Sequence, residues 1–426
     1  MEENTSTYES TETSERHYRR NFFLGVLNGT LFKGGLAFSH PSTVLPVFVS
    51  LFTGSSIIIG VTGTITSVGW LLPQIMVARY AEHLPTKMTI YKIAAAFRLL
   101  AWLGMILSLF WVEEIEPMAY LAIFFAFLGV YSLAGGASGI AFIDIVGKTV
   151  PPERRGRYFG YRNFFSGFIA AAAGILVAYV LGNPEIFPFP LNYMVLYSLT
   201  FVFILSAISL FTFVKEPEGS VKAEREGSSS EYLSNVRRLV STDHNYRNFL
   251  IVMVLSYASS LSLPFYVIYA RSVLLAPDSW VGIYVTVDML ATLVANLAWG
   301  LIGDRYGYRN LIRVCSFISL LAPVAALFAP SYGLFSLVFI LKGSGSTGIW
   351  MAKNNYALEI APIIRRATYL GVMNTALAFV MMLPIVGGLI IDFSGYEALF
   401  IVTAVAVGAA FLQASKLEEP RRANGS

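Results

Sequence analysis

The stretch "GLIGDRYGYRN", residues 300–310, closes a long apolar run with a sharp charged turn. Gly303 and Gly307 suit a tight reversal of the chain because glycine adopts backbone conformations that other residues avoid. Asp304 is well placed to meet the N-terminus of a neighbouring helix, where N–H groups and the helix dipole favour an anion. The stretch therefore predicts a corner between two packed helices.

An imperfect copy of this turn, "ARYAEHLPTKM", lies at residues 78–88. Glu82 stands where Asp304 does, and Lys87 stands where Arg309 does. A second pair of similar segments follows the same order, with "PPERRGRYFGYRN" at 151–163 and "PIIRRATYLGVMN" at 362–374. Repeated halves are typical of transporters, whose binding site lies near mid-membrane.

The composition indicates a membrane protein. Of 426 residues, 56% are hydrophobic and 13% are charged, whereas soluble domains carry roughly 25% charged residues. The apolar blocks reach the length of about 20 residues that spans a bilayer. Backbone polar groups must be paired in lipid, so blocks this long are predicted to be helices. The fold prediction is an all-α integral membrane protein with twelve transmembrane helices in two pseudo-symmetric six-helix bundles, at 21–50, 57–79, 88–112, 117–146, 160–181, 190–214, 247–274, 279–303, 309–329, 332–359, 367–391 and 395–415.

A polar segment at residues 215–246 divides these helices six and six and is predicted to be a flexible cytoplasmic linker. It separates an N-terminal bundle at 21–214 from a C-terminal bundle at 247–415. Residues 1–20 are predicted to be a disordered cytoplasmic tail, and residues 416–426 a second cytoplasmic tail.

The placement of basic residues predicts the orientation. Most of the 30 Lys and Arg residues, with Arg162 counted among them, fall in loops on the side that carries both termini. Because cytoplasmic loops are enriched in Lys and Arg, both termini are predicted to be cytoplasmic, in a multi-pass protein of the cell membrane.

Several classes of function lack their usual residues. The single cysteine excludes a disulfide framework, and the four histidines lack the spacing of a metal site. The sequence has no HExxH motif, no nucleophile elbow and no phosphate-binding loop. We therefore expect no enzyme, no cofactor, no metal and no nucleic-acid partner, and a monomer.

Three charges, Lys33, Asp288 and Lys342, lie near the middle of predicted helices. A charge at mid-membrane costs at least about 2.5 kcal/mol by insertion scales, so each is a functional candidate. If Asp288 pairs with one lysine, the remaining cation suits an anionic or carboxylate-bearing substrate, or Asp288 acts as a proton-dependent switch. The alternative is a structural ion pair that holds helices in register.

Polar and aromatic residues accompany these charges. Ser346 and Trp350 recur at helical spacing from Lys342. Tyr257 is a further candidate for the pocket, although tyrosines also serve in packing and interface belts. Arg98 lies within the third predicted helix, where a long side chain can extend inward.

On these features the chain resembles the major facilitator superfamily over residues 20–415. The loop motif of that family begins with Gly, any three residues and Asp. Arg or Lys follows, then any residue, Gly, any residue and finally two basic residues. Asn310 departs from it, and the positions that fit are Gly300, Asp304, Arg305, Gly307 and Arg309. The first-half copy departs further, at Ala78, Glu82, His83 and Pro85. The P-x-x-G-G element that many proton-coupled exporters of the family have in the fifth helix is absent from residues 160–181. A similar "PIVGG" segment, with Pro384, Gly387 and Gly388, occurs instead in the eleventh predicted helix.

The resemblance implies a secondary active transporter that moves a small solute, anionic or amphiphilic, by rocking of two bundles coupled to an ion or proton. It places Lys33, Asp288 and Lys342 on helices that line the cavity, and Arg98 on a peripheral helix. The alternatives are a lipid or amphiphile flippase, a multidrug-type exporter and a transport-inactive sensor.

The resemblance also implies that the charged turns latch the cytoplasmic side. Arg305 and Arg309 are expected to pair with Glu359, and Asp144 with Lys87 or Arg79. Asp304 is expected to make the second-half corner the firmer one. The alternative is that these charges only fix topology and anchor helices.

Overall fold

The structure, a computed structural model, describes residues 2–81, 84–218, 238–362 and 365–419. All regular secondary structure in these ranges is helical, and ten helical segments there are long and apolar enough to cross a membrane. The predicted helix at 332–359 is not among the ten, since its Gly, Ser and Lys residues lower its mean hydropathy. The last two predicted helices form one continuous segment, Thr368–Ala414. The all-α membrane fold is confirmed.

The described helices follow the predicted order. In chain order they are α1 (Glu2–Gly35), α2 (Val44–Ser50), α3 (Ser56–Ala81), α4 (Met88–Ser108), α5 (Pro117–Thr149), α6 (Pro152–Gly182), α7 (Leu191–Thr212), α8 (His244–Tyr257), α9 (Phe265–Ser272), α10 (Ser279–Tyr306), α11 (Tyr308–Phe328), α12 (Ser336–Ile360), α13 (Arg366–Val380) and α14 (Leu383–Ala414).

The first helix is longer than predicted. It begins at Glu2, so the segment predicted to be a disordered tail is helical from there on. The physical reason is that the sequence has no glycine or proline before Gly25. Nothing in that stretch therefore stops a helix from propagating backwards from the first transmembrane segment.

The chain forms two compact units. Unit 1 comprises Met1–Ser39 and Gly69–Ala223, and unit 2 comprises His40–Val68 and Glu224–Ser426. Helix α3 contributes residues to both units. Each unit has its own buried core of aliphatic and aromatic side chains, with Trp102, Tyr120 and Tyr197 in unit 1 and Phe249, Tyr266 and Tyr284 in unit 2.

Two predicted transmembrane helices are broken. In the first, a 3-10 turn at Leu36–Ser39 precedes Pro41 and α2. In the seventh, a 3-10 turn at Ala258–Leu261 precedes Pro264 and α9. Proline removes a backbone donor and ends regular helix. Irregular backbone at membrane depth occurs where it is enclosed by protein or lines a polar site.

The charged turn at 300–310 joins α10 to α11 as predicted. Gly307 lies between them with φ 85° and ψ 154°, a conformation that is essentially restricted to glycine. Its N–H donates to the carbonyl of Gly303 at 3.0 Å.

We expect Gly307→Ala to lower the free energy of unfolding by about 1–3 kcal/mol, the cost of a strained backbone. An added Cβ would also lie 2.5 Å from Oε1 of Glu419. Thermal unfolding of the purified protein in detergent measures the change. Gly300→Ala is the matched control, because Gly300 is helical and nothing lies within 4 Å of its Cβ position. Equal melting temperatures for both variants would contradict the account.

Candidate functional site

A buried charged cluster lies in unit 2 around Asp288, whose side chain is 2% exposed. Of the two lysines that could pair with Asp288, the structure has Lys342, whose Nζ contacts Oδ2 of Asp288. Nε2 of His40 lies 3.8 Å from the same oxygen. Lys342 also donates to Oγ of Ser42 at 3.1 Å. One carboxylate is therefore shared between a lysine and a histidine.

Three elements of unit 2 position this cluster. Asp288 lies on α10, Lys342 lies on α12, and His40 lies in the break before α2. Gly343 leaves room for the carboxylate, since an added Cβ would lie 2.5 Å from Oδ1 of Asp288. The carbonyl of Gly343 accepts hydrogen bonds from Thr292 at 3.4 Å and Ser346 at 3.4 Å. The hydroxyl groups of Thr292 on α10 and Ser346 on α12 thus extend the polar surface beyond the ion pair.

The imidazole of His40 is oriented by its own turn. Its Nδ1 lies 3.3 Å from Oγ of Ser42 and 3.1 Å from Oγ1 of Thr43. When Nδ1 accepts from these hydroxyls, the N–H of the neutral ring lies on Nε2, the nitrogen that faces Asp288. The turn therefore aims a proton-carrying group at the carboxylate.

Sequence reasoning missed His40, because one histidine in an apolar run has no partner at helical spacing. The dipeptide His40–Pro41 was the available signal. A proline directly after a polar residue inside a predicted transmembrane helix marks a break, and a break exposes that polar side chain to the protein interior.

Other predicted residues of unit 2 lie apart from the ion pair. Tyr257 is half-buried, and its ring centroid lies 5.1 Å from Nζ of Lys353. Trp350 is 56% exposed, and its backbone carbonyl accepts a hydrogen bond from the side chain of Asn354. Ser346 is exposed on α12.

Lys33 belongs to unit 1. Its Nζ donates to Oδ1 of Asn163 at 2.6 Å. Within the residues that the structure describes, no carboxylate lies within ion-pair distance of Lys33. Its positive charge thus faces a neutral amide, unlike that of Lys342.

At the charged turn in unit 2, Oδ1 of Asp304 accepts from the hydroxyl of Tyr308, the first residue of α11, at 3.1 Å. Arg309 donates to the carbonyl of Ser415 at 2.9 Å. The guanidinium of Arg305 lies 5.4 Å from the ring centroid of Tyr306. Glu359 is half-buried near the end of α12. The expected pairing of the two arginines with Glu359 stays a prediction.

In unit 1, Glu82 lies outside the described residues. Asp144 pairs with Lys148, one turn along α5, at 2.8 Å. Lys148 also pairs with Glu216 at 2.7 Å. The carboxylate of Glu216 accepts from the backbone N–H of Lys87 at 2.9 Å and caps the start of α4. The expected pairing of Lys87 with Asp144 stays a prediction, and Glu216 is the helix-capping anion that sequence reasoning missed.

We expect Glu216→Gln to lower the free energy of unfolding by about 1.5–3 kcal/mol, because the backbone N–H groups of Lys87 and Met88 lose a charged acceptor. The Glu216 side chain is 3% exposed. Glu218→Gln is the matched control, since Glu218 is exposed two residues away. Thermal unfolding measures both variants, and an equal small change in each would contradict the assignment of Glu216 as a capping ion-pair partner.

Comparison with known proteins finds a family match for part of the chain and a similar fold for almost all of it. A family model described as Major Facilitator Superfamily matches residues 248–425. Multidrug resistance protein MdtG of Dickeya zeae is 27% identical over 161 residues, which cover 36% of this chain and 39% of that protein. An uncharacterised MFS-type transporter of Methanocaldococcus jannaschii is 25% identical over 179 residues, covering 41% and 46%. The alignments thus span less than half the length of these relatives.

A solved structure extends the similarity of fold to almost the whole chain. A bacterial homologue of the iron transporter ferroportin, in an inward-facing state, superposes with a TM-score of 0.72 at 14% identity. The match covers 93% of this chain and 98% of that one. Residues 248–425 thus resemble the major facilitator superfamily in sequence, and almost the whole chain has a fold similar to that of a solved transporter structure.

Proposed function

We propose that the chain is a secondary active transporter that moves a small solute by alternating access and couples this to protons at Asp288. The observation that carries the proposal is the buried Asp288–Lys342 pair with His40 beside it. Charges inside membrane bundles are expensive and mark substrate or proton pathways. The match of residues 248–425 to the Major Facilitator Superfamily model supports a transporter rather than an enzyme.

The geometry suggests how a proton would act. A proton on Asp288 removes the negative charge that holds Lys342, and Lys342 already has a second acceptor in Ser42 at 3.1 Å. Loss of the pair would release α10 from α12 and from the turn that carries His40. Protonation and conformation are then linked, since a ligand shifts a two-state equilibrium only by binding one state better.

The test uses full-length protein in liposomes that contain a pH-sensitive dye. Sodium succinate, sodium phosphate, glucose and tetraphenylphosphonium chloride are added outside in turn. We expect at least one solute to change the lumen pH faster than in protein-free liposomes. Rates equal to those of empty liposomes for all four solutes would contradict proton-coupled transport of these classes.

An exporter of amphiphiles is the second candidate, and the similarity to multidrug resistance protein MdtG favours it. It predicts that tetraphenylphosphonium alone among the four solutes drives proton movement. A flippase predicts movement of labelled lipid between leaflets in the same liposomes. Proton movement with succinate or phosphate instead would favour the transporter of small anions.

The remaining finer predictions are proposals of the same kind. They are the six-and-six division around residues 215–246, cytoplasmic termini in the cell membrane, a monomer, and a latch formed by the turn at 300–310. The asymmetry of basic residues supports the orientation, and the glycine-restricted backbone at Gly307 supports a fixed corner.

A further inference from the structure

Unit 1 holds a buried arginine between α1 and α6 that sequence analysis assigned to a loop. Arg162 is 6% exposed. Its Nη1 donates to the carbonyl of Gly25 at 2.5 Å, to Oδ1 of Asn28 at 3.2 Å and to the hydroxyl of Tyr158 at 3.1 Å. All three acceptors are neutral, and the described bonds use one of its three nitrogens.

A second buried arginine lies on α4. Arg98 is 3% exposed and donates to Oγ of Ser138 at 3.1 Å and to the hydroxyl of Tyr131 at 3.4 Å. Its guanidinium lies 4.5 Å from the ring centroid of Phe32. Its Nε is buried without a hydrogen-bond partner. Arg98 is therefore enclosed by the bundle, although the resemblance implied a peripheral helix.

Helix α1 brings these cations and Lys33 together. Gly25, Asn28 and Phe32 recur at spacings of three and four residues, which places them on one face of the helix. The first two contact Arg162 and the third contacts Arg98. Lys33 follows Phe32 directly and donates to Asn163, the neighbour of Arg162 on α6.

The positive charges of this cluster lack a counter-ion. Within the described residues, no carboxylate lies within ion-pair distance of Lys33, Arg98 or Arg162. Uncompensated buried charge is strongly unfavourable, so such a cluster is stable only when the structure or a ligand offsets it. The planar guanidinium matches carboxylate and phosphate groups, to which it can donate two parallel hydrogen bonds.

We propose that Lys33, Arg98 and Arg162 form the recognition site for an oxyanion group, carboxylate or phosphate, on the substrate of this protein. Lys33 is the exposed member that an incoming anion contacts first, and Arg162 supplies its unused donors. Arg98 adds its buried charge and the orphaned Nε donor. That the bound molecule is a transported substrate rests on the proposed function. The presence of an oxyanion-binding site does not depend on it.

The test measures anion binding by the full-length protein in lipid nanodiscs. Sodium phosphate and sodium succinate are titrated separately against sodium chloride at constant ionic strength, and the melting temperature is recorded. We expect at least one oxyanion to raise the melting temperature in a saturable way. Phosphate alone or succinate alone as the stabilising ion identifies the group that is recognised.

Matched variants locate the site. We expect Lys33→Gln and Arg98→Gln each to weaken the apparent affinity about tenfold, the effect of one lost charge-assisted hydrogen bond. Lys92→Gln, which removes an exposed lysine from the same helix as Arg98, should leave the affinity unchanged. Lys33 is exposed, so its variant keeps the buried core and tests the site even if Arg98→Gln fails to fold.

Two results would overturn the site: no saturable stabilisation by either oxyanion, or equal affinities for Lys33→Gln and Lys92→Gln. Oxyanion binding without proton movement in liposomes retains the site and refutes the proposed transport. Proton movement with glucose or tetraphenylphosphonium, without oxyanion binding, retains transport and refutes the site.

Discussion

Asp288→Asn is expected to lower the free energy of unfolding by about 3–5 kcal/mol, because it leaves the charge of Lys342 buried without its carboxylate. Lys342 is 11% exposed and Asp288 is 2% exposed, so water replaces little of the lost interaction. Thermal or denaturant unfolding of the purified variant measures the change. Asp278→Asn is the control, since Asp278 is 53% exposed and pairs with Arg271 at the surface of unit 2.

The double variant Asp288→Asn with Lys342→Met separates stability from function. It removes both charges together, and replacing a whole buried ion pair by groups of similar volume is often neutral or stabilising. We therefore expect its stability to return close to that of the unmodified protein while proton coupling stays absent. Recovery of coupling in the double variant would show that the pair is only structural.

Gly388→Val is expected to disrupt unit 2, with a loss of at least about 3 kcal/mol or failure to fold. An added Cβ at Gly388 would lie 2.6 Å from Cα of Ile57, so it would meet the backbone of α3 rather than a movable side chain. A Cβ at the neighbouring Gly387 would lie 3.0 Å from Cε2 of Phe265. Small residues allow this close approach of membrane helices.

Yield and melting temperature of the Gly388 variant measure this effect. Gly300→Val is the matched control in the same unit, because nothing lies within 4 Å of its Cβ position. Equal yields and melting temperatures for the two variants would contradict the close packing of α14 on α3. The "PIVGG" segment, noted in the sequence for its resemblance to a family element, thus has a packing role in unit 2.

The sequence allowed the fold to be predicted because long apolar runs in lipid have few alternatives to helix. It also allowed a pair of Asp288 with one of the two mid-membrane lysines to be predicted, since charges of opposite sign have a strong reason to meet there. Which lysine it is, Lys342 rather than Lys33, came from the structure. Gly395, with φ 81°, lies where the last two predicted helices meet inside α14. The boundary that the sequence predicts between the last two helices thus coincides with a kink at Gly395, although both helices belong to the continuous segment α14.

Residues whose role depends on a break or on distant partners could not be predicted. His40 enters the site because the helix ends before Pro41, and hydropathy alone does not show where a helix breaks. Arg162 was counted as a loop residue because basic residues precede it, yet α6 begins at Pro152 and buries it. Glu216 reaches the start of α4 from a segment beyond α7, a pairing that local patterns do not contain.

The central claim is that proton movement depends on the carboxylate of Asp288. The most direct measurement is the change of lumen pH in liposomes when a gradient of the transported solute is applied to unmodified, Asp288→Asn and Asp278→Asn protein. We expect equal proton movement in the unmodified and Asp278→Asn proteins and none above empty liposomes in Asp288→Asn. Proton movement at the unmodified rate in folded Asp288→Asn protein would contradict the claim.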